Sequence, residues 1–458
     1  MLVGVKYKKS STAMVVFASL LFLSSAHNAR AQDFPEGSAP VVKPEVSVEF
    51  PEADVLLLPA AIEAALSNNP GLKEIGQRAE AAAAVPSQVG SLPDPVLKFL
   101  AANLPADNFD RKQENMSQMG IGISQAFPFP GKLRLKKEAA QFIATATVHD
   151  HSQARLNLVR DIKIEWWRLF YLDQALEVVS RNLDLMRGFV EIAGKKYEVG
   201  SGLQSDIILA QLELSKLLEF EIRVKNARHA SEARLVALIA LPIDHVIRLP
   251  KTTSESLGDI PGEQKLLFLA ENNSPLLSAQ ERRVDAAGKR KDLAKRDFYP
   301  DFVLSANYGA RSGTNPVSDL EREDVVTFWL DVKIPLYAGT KQSKALEQRR
   351  AQENEEEFGL AQTRLMIQKE ISTRFAFYQQ NREQVSLFSS GIIPQAQQTV
   401  DAMRAGYLVD EVDFLNLVSA QITLYNYETR YWQVFAEAEQ ALAAIEATVG
   451  EEISNEAQ

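Results

Sequence analysis

A chain of 458 residues with a net charge of −10 presents an acidic surface, which argues against a nucleic-acid partner and for tolerance of cations. It contains no cysteine, which excludes disulfides, lipidated cysteine and a thiol nucleophile. Beyond residue 31 no apolar run reaches the about 18 residues that a spanning helix needs, so any membrane segment has to be built from β-strands.

Residues 1–31 read as an export signal: Lys6, Lys8 and Lys9, an apolar run from Met14 to Leu23, then Ala29-Arg30-Ala31 as the cleavage site. Its removal would take four positive charges and leave the mature chain at −14. An extended tether follows over 32–57, with Pro35, Pro40, Pro44 and Pro51. An Ala-rich pattern then predicts one helix from about Pro59 to Val89. Two strands come next, and in the second Met119, Ile121 and Ile123 alternate with Gly120, Gly122 and Ser124. Bulk therefore lies on one face and almost nothing on the other, which suits an open or a closely packed interior.

From Lys132 the pattern is helical to Gly200, with apolar residues at spacings of three and four through Ile162, Trp166, Leu169, Leu172, Leu176, Val179, Leu183, Met186, Val190, Ala193 and Tyr197. Such a helix is on the order of 100 Å long. A tight connection at Val199-Gly200-Ser201-Gly202 starts a returning helix to Ala240. Helix 59–89 and helix 204–240 together match the long helix and are expected to stack end to end beside it.

The chain then repeats itself. Residues 58–250 form one repeat, 251–261 a linker, 262–450 a second repeat and 451–458 a tail. Asn68-Asn69 answers to Asn272-Asn273, Arg78 to Arg283, Pro93-Asp94 to Pro300-Asp301, Pro128 to Pro335, Tyr197 to Tyr407, and Ala210-Gln211 to Ala420-Gln421. Phe302, Leu304, Ala306 and Tyr308, then Val326, Phe328, Leu330, Val332 and Ile334, alternate with smaller or polar residues in the manner of lipid-facing barrel strands. Connections 105–115 and 311–324 are polar and fit outward loops. Pro394 falls inside the second long helix, where it should kink the helix or mark a junction. The fold class is thus mainly α with a small β part: a duplicated long-helix coiled-coil unit with four strands per chain. Four strands cannot close alone in lipid; two chains would supply eight and three would supply twelve.

Phe127-Pro128-Phe129-Pro130-Gly131-Lys132-Leu133, Tyr197-Glu198-Val199-Gly200 with Ser205-Asp206, and Tyr407 with Asp413-Phe414-Leu415 together resemble the TolC-like outer-membrane efflux proteins. Asn103-Leu104-Pro105 and Ile393-Pro394-Gln395-Ala396 are most similar to the heavy-metal branch of the CzcC and CusC type. The resemblance covers about residues 55–450. It implies a homotrimer sharing a twelve-stranded transmembrane barrel, with a helical tunnel across the periplasm of a Gram-negative cell. It also implies a periplasmic adaptor and an inner-membrane pump of the resistance-nodulation-division type as partners. Tyr197, Val199, Gly200, Asp206, Tyr407 and Val409 are then the tip residues that meet the adaptor. Asp410 stands where the family has Gly, and Asn416 and Ser419 stand where some members carry entrance aspartates. Asp410, Glu411 and Asp413 are the substitute candidates for an acidic entrance ring.

Each of these residues has an ordinary reading too. The helical stripe and Trp166-Trp167 read as packing, Asp206 as a helix cap, and Asp410, Glu411 and Asp413 as a solvated helix start. His149 and His151 diverge on their helix, so no shared metal is expected, and no cofactor. Gly131-Lys132 lacks the glycine of a phosphate loop at Ala126, and no catalytic motif is present, so the chain is not read as an enzyme. The alternatives to a metal-efflux exit duct are the outer-membrane component of a protein-secretion system and a periplasmic coiled coil without a pore.

Overall fold

The computed structural model describes residues 55–453 apart from 243–244, 254–255 and 316; the export signal 1–31, all of the tether but its last three residues, and the end of the tail 451–458 lie outside the described residues. The first repeat contains α1 (Leu58–Asn68), α2 (Pro70–Gly90), β1 (Val96–Ala102), β2 (Gln118–Phe127), α3 (Lys132–Glu198) and α4 (Gln204–Ile239). The second contains α5 (Glu263–Asn273), α6 (Pro275–Arg296), β3 (Asp301–Ala310), β4 (Val325–Lys333), α7 (Gln342–Leu387), a π-turn (Phe388–Ile392), α8 (Ile393–Leu408) and α9 (Phe414–Val449). At 67 residues α3 is about 100 Å long.

One expectation needs correction. The single helix expected from Pro59 to Val89 is two helices. Pro70 forces the residue before it out of the helical region, so Asn69 sits at ψ 118° and its side chain accepts the Leu72 N–H at 3.0 Å, capping α2. The second repeat breaks the same way at Ser274-Pro275. Pro394 marks a junction: the turn before it widens to π geometry, and Pro394 occupies the first turn of α8.

The long helices pack as the apolar spacing requires, but on two sides. Ile162, Trp166, Leu169, Val179, Leu183, Met186 and Ala193 of the expected seam are buried, and so are Phe170, Ala175, Val178 and Phe189 off it. A second stripe is buried because α3 packs against α4 of its own repeat and against both α6 and α9 of the other. Helices α2 and α4 lie along α3 as the end-to-end arrangement requires, and Asn69 Nδ2 donates to the Leu238 carbonyl at 2.9 Å where they meet. Trp166 and Trp167 belong to a core cluster with Phe170, Tyr431 and Phe435, and the Trp166 indole N–H donates to the Leu56 carbonyl at 3.1 Å. They are packing residues.

The four strands form one antiparallel sheet in the order β1-β2-β3-β4. Leu97 pairs with Ile123, Ile123 with Ala306 and Ala306 with Phe328, so one face carries Leu97, Phe99, Ile121, Ile123, Leu304, Phe328 and Leu330, all exposed. The opposite face is polar and tight. Asn307 lies over Gly120 and Gly122, and a Cβ at Gly122 would come within 2.9 Å of the Ala306 carbonyl oxygen and 3.0 Å of Asn307 Oδ1. The glycines therefore serve close packing. No helix among the described residues is long and apolar enough to cross a membrane.

The two repeats do not contact each other symmetrically. Helix α3 packs along α6 and α9, and β2 pairs with β3, but among the described residues α7 has no comparable packing along a helix of the first repeat, and β1 and β4 are the sheet's edges.

Candidate functional site at the hairpin tips

Each repeat ends in a helical hairpin, and the two turns are built alike. At the first, the Gly200 N–H donates to the Tyr197 carbonyl at 3.0 Å and the Ser201 N–H reaches back to Lys196 at 2.8 Å. At the second, the Glu411 N–H reaches back to Gly406 at 2.9 Å. This closure uses the last free carbonyls of the helix and needs one residue with positive φ. Gly200 supplies it at φ +79°, and Asp410, at the matching position, adopts φ +61°. Aspartate tolerates that conformation better than most side chains, at a cost of about 1 kcal/mol relative to Gly.

The necks of the two hairpins exchange bulk for space. A Cβ on Gly202 would lie 2.9 Å from the Lys196 Cβ, and a Cβ on Gly406 would lie 2.5 Å from Val412 Cγ2. Position 202 corresponds to 412 and 196 to 406, so each neck holds one glycine facing one larger residue, on opposite strands of the hairpin. Placing the glycine at 202 frees position 196 for a long side chain.

That side chain joins the tips. The Lys196 ammonium donates to the Tyr407 carbonyl at 2.8 Å, pairs with the Asp410 carboxylate, and stands 4.4 Å from the centre of the Tyr407 ring. Tyr407 is buried against Phe414, 5.2 Å between ring centres, and belongs to a cluster with Phe189, Leu417 and Val418. Burial, then the charges of Asp206 and Asp410, push the Tyr407 hydroxyl above the usual phenol range, and it has no hydrogen-bond partner among the described residues.

The residues singled out in the sequence thus fall into three groups. Tyr407 and Asp410 meet at Lys196, and Asp206 lies near enough for its charge to act on the Tyr407 hydroxyl, although Asp206 does not cap its helix. Leu203 is the N-cap residue, no side chain caps the turn, and Asp206 stands in the first turn. Tyr197, Val199 and Val409 are exposed at the apices, with Val199 77% exposed. Tyr197 and Tyr407, equivalent in the repeat, therefore differ: one faces solvent and the other is core. Glu411 and Asp413 are exposed and form no ion pair among the described residues, and Asp413 is the N-cap residue of α9 without a side-chain cap. Asn416 and Ser419 are exposed on the face of α9 away from Leu417 and Val418.

Lys196 was not apparent from spacing or motif. Its signal lay in the repeat alignment, where a lysine faces a glycine in one neck and a glycine faces a valine in the other. A second overlooked element is the buried pair in which Gln421 Nε2 donates to Asn182 Oδ1 at 2.7 Å, fixing the register of α9 on α3. Its repeat counterpart Gln211 is exposed. Among the described residues no group of acidic, histidine or cysteine side chains could hold a metal ion.

Comparison with known proteins places these features in a family. The family model described as outer membrane efflux protein matches residues 61–241 and 266–451, both repeats. The cobalt-zinc-cadmium resistance protein CzcC of Cupriavidus metallidurans is 21% identical over 87% of this chain and 91% of its own length. Among solved structures, the outer membrane protein VceC of Vibrio cholerae superposes with a TM-score of 0.73 at 20% identity, covering 87% of this chain and 97% of that one. The CusC channel superposes with a TM-score of 0.73 at 16% identity, covering 92% and 99%.

Proposed function

The chain belongs to the outer membrane efflux protein family, and on that premise we propose that it is the exit duct of a three-component efflux system whose cargo is heavy-metal cations. As a member of that family it is an outer-membrane channel with a periplasmic helical part, and not an enzyme. Three copies pool their sheets into a barrel of twelve strands, and their long helices form the tunnel below. The observation that carries this reading is the unsatisfied sheet: four strands with a continuous apolar face and two free edges, which lipid does not tolerate.

Within this reading Tyr197, Val199, Gly200, Asp206, Tyr407 and Val409 make the surface offered to a periplasmic adaptor, itself coupled to an inner-membrane pump of the resistance-nodulation-division type. The exposed valines supply apolar contact at the apices. The channel is passive, and the tips open when the adaptor separates the two hairpins. Glu411 and Asp413, without an ion pair among the described residues, and Asp410, held by Lys196, line the entrance as acidic groups repeated threefold. The metal cargo is supported by the relation to a protein named for cobalt, zinc and cadmium resistance and by the acidic tips. A strain lacking this chain should lose tolerance to divalent cobalt, zinc and cadmium while keeping its tolerance to hydrophobic drugs. Loss of drug tolerance alone would overturn the metal assignment.

A further inference from the structure

At the junction of sheet and helices the two repeats are locked by a compact clasp. Lys132, 6% exposed, sets its ammonium 2.9 Å from Asp301 and 3.2 Å from Asp297. The same Asp301 oxygen accepts the Phe129 N–H at 2.8 Å. The Phe129 ring stacks on Tyr299 with 4.5 Å between centres. The segment leaving the sheet in the first repeat, 128–132, thereby grips the segment entering it in the second, 297–301.

The same parts occur once more in the chain, and there they have nothing to grip. By the repeat, Asp94 corresponds to Asp301 and Leu92 to Tyr299, and past the matched prolines Pro128 and Pro335 an aromatic residue, a glycine and a lysine follow in the same order: Phe129, Gly131 and Lys132 in one copy, Tyr337, Gly339 and Lys341 in the other. The second exit is two residues longer from proline to lysine, and Lys341 is the N-cap residue of α7 whereas Lys132 is the first residue of α3. Asp94 and Lys341 are exposed, and neither makes an ion pair among the described residues. Leu92 is 49% exposed and Tyr337 75%. No acceptor among the described residues faces the Tyr337 N–H, the counterpart of the Phe129 N–H that Asp301 holds.

The vacancy is the same above and below the clasp. Among the described residues, pairing of β2 with β3 has no counterpart between β4 and β1, and the extended packing of α3 against α6 has none between α7 and α2. A joint made once within the chain is thus presented, at three successive levels, as two separated halves on opposite sides.

We propose that a second copy of this chain closes this joint, with Asp94 of one copy accepting the Tyr337 N–H and the Lys341 ammonium of the next while Leu92 lies against the Tyr337 ring. This rests on the assembly put forward above and names the contact that holds it at the level of the membrane boundary. Opposite charges on the two halves fix the direction, so each copy offers one half to the copy before it and the other to the copy after it. Such a head-to-tail contact closes into a ring.

The absence of cysteine makes the test direct. Full-length chain carrying Asp94→Cys and Tyr337→Cys, extracted from membranes in mild detergent, is treated with a short bis-maleimide and resolved under denaturing conditions. A ladder ending at three covalently joined copies is expected, with none from either single substitution. Particles of three copies that do not cross-link would overturn the clasp while leaving the assembly standing, and particles of one copy would overturn both. As a second arm, Asp94→Lys should lower the amount of intact assembly by about tenfold, through like charges facing each other. Adding Lys341→Asp should restore it, and failure of the double exchange to restore it would overturn the pairing.

Discussion

Replacing Lys196 by alanine isolates the contact between the two hairpins of one subunit. The lysine side chain is 17% exposed and makes three contacts of different worth: a charged hydrogen bond to the Tyr407 carbonyl at 2.8 Å, an approach of 4.4 Å to the Tyr407 ring, and an ion pair with Asp410, whose side chain is 66% exposed. The charged hydrogen bond is worth about 1.5 kcal/mol, and the ring contact about 0.5 kcal/mol at a partly wet site. Solvent screening at Asp410 reduces the ion pair to a few tenths. The sum, about 2 kcal/mol, predicts a roughly thirtyfold rise in the population with separated tips. Amide exchange at Val409 and Glu411 should quicken by about that factor, and single-channel records in planar bilayers should show more frequent opening. Lys195→Ala is the control, because Lys195 pairs with Glu191 on its own exposed helix face and makes no contact to the other hairpin among the described residues. If Lys196→Ala and Lys195→Ala give the same exchange rates, the hairpins are not held by this residue and the reasoning is refuted.

Three other predictions follow from single features. Gly406→Ala should destabilise the second hairpin by about 1–3 kcal/mol, because its Cβ would fall 2.5 Å from Val412 Cγ2, and Val412→Ala in the same chain should recover most of the loss in thermal unfolding. Glu439, on α9, lies near Lys163 of α3 and Tyr378 of α7; burial and then the neighbouring Glu446 raise its carboxyl from 4.5 to about 7, with Lys163 opposing. A raised acid favours the folded state when protonated, so stability should be greatest below about pH 4.5 as far as this group is concerned and should fall as pH rises to about 7. Glu439→Gln should therefore raise stability at pH 8 by about 2–3 kcal/mol and leave it unchanged at pH 4, and a pH-independent difference would contradict this. Asn69→Ala should cost about 1 kcal/mol through loss of the α2 cap and of the bond to Leu238, read as lower thermal stability.

The architecture was legible because two periodicities and one duplication carry it. Alternation over Phe302–Tyr308 and Val326–Val332 and the three-four spacing from Ile162 to Ala193 each describe a helix or strand against one neighbour. What spacing does not contain is which neighbour. The second buried stripe on α3, through Phe170, Val178 and Phe189, arises from packing between repeats. The burial of Tyr407 against the exposure of Tyr197 has the same origin. Breaks at Asn69 and Ser274 are written in the prolines that follow them, but around Asn69 an alanine-rich pattern on both sides masks the first. At the tips the turn residues could be named, and Asp410 could be marked as standing in a glycine position. That Lys196 crosses to it from the other hairpin depends on the glycine at 202, which has meaning only when the two necks are compared.

The number of copies in the native particle tests the account at its root, since one chain's sheet is held to be unable to seal itself in lipid. Native mass spectrometry of the full-length protein released from membranes in mild detergent should give three copies, and planar bilayers should conduct only when that particle is added. A particle of one copy that conducts as a sealed pore would contradict the account.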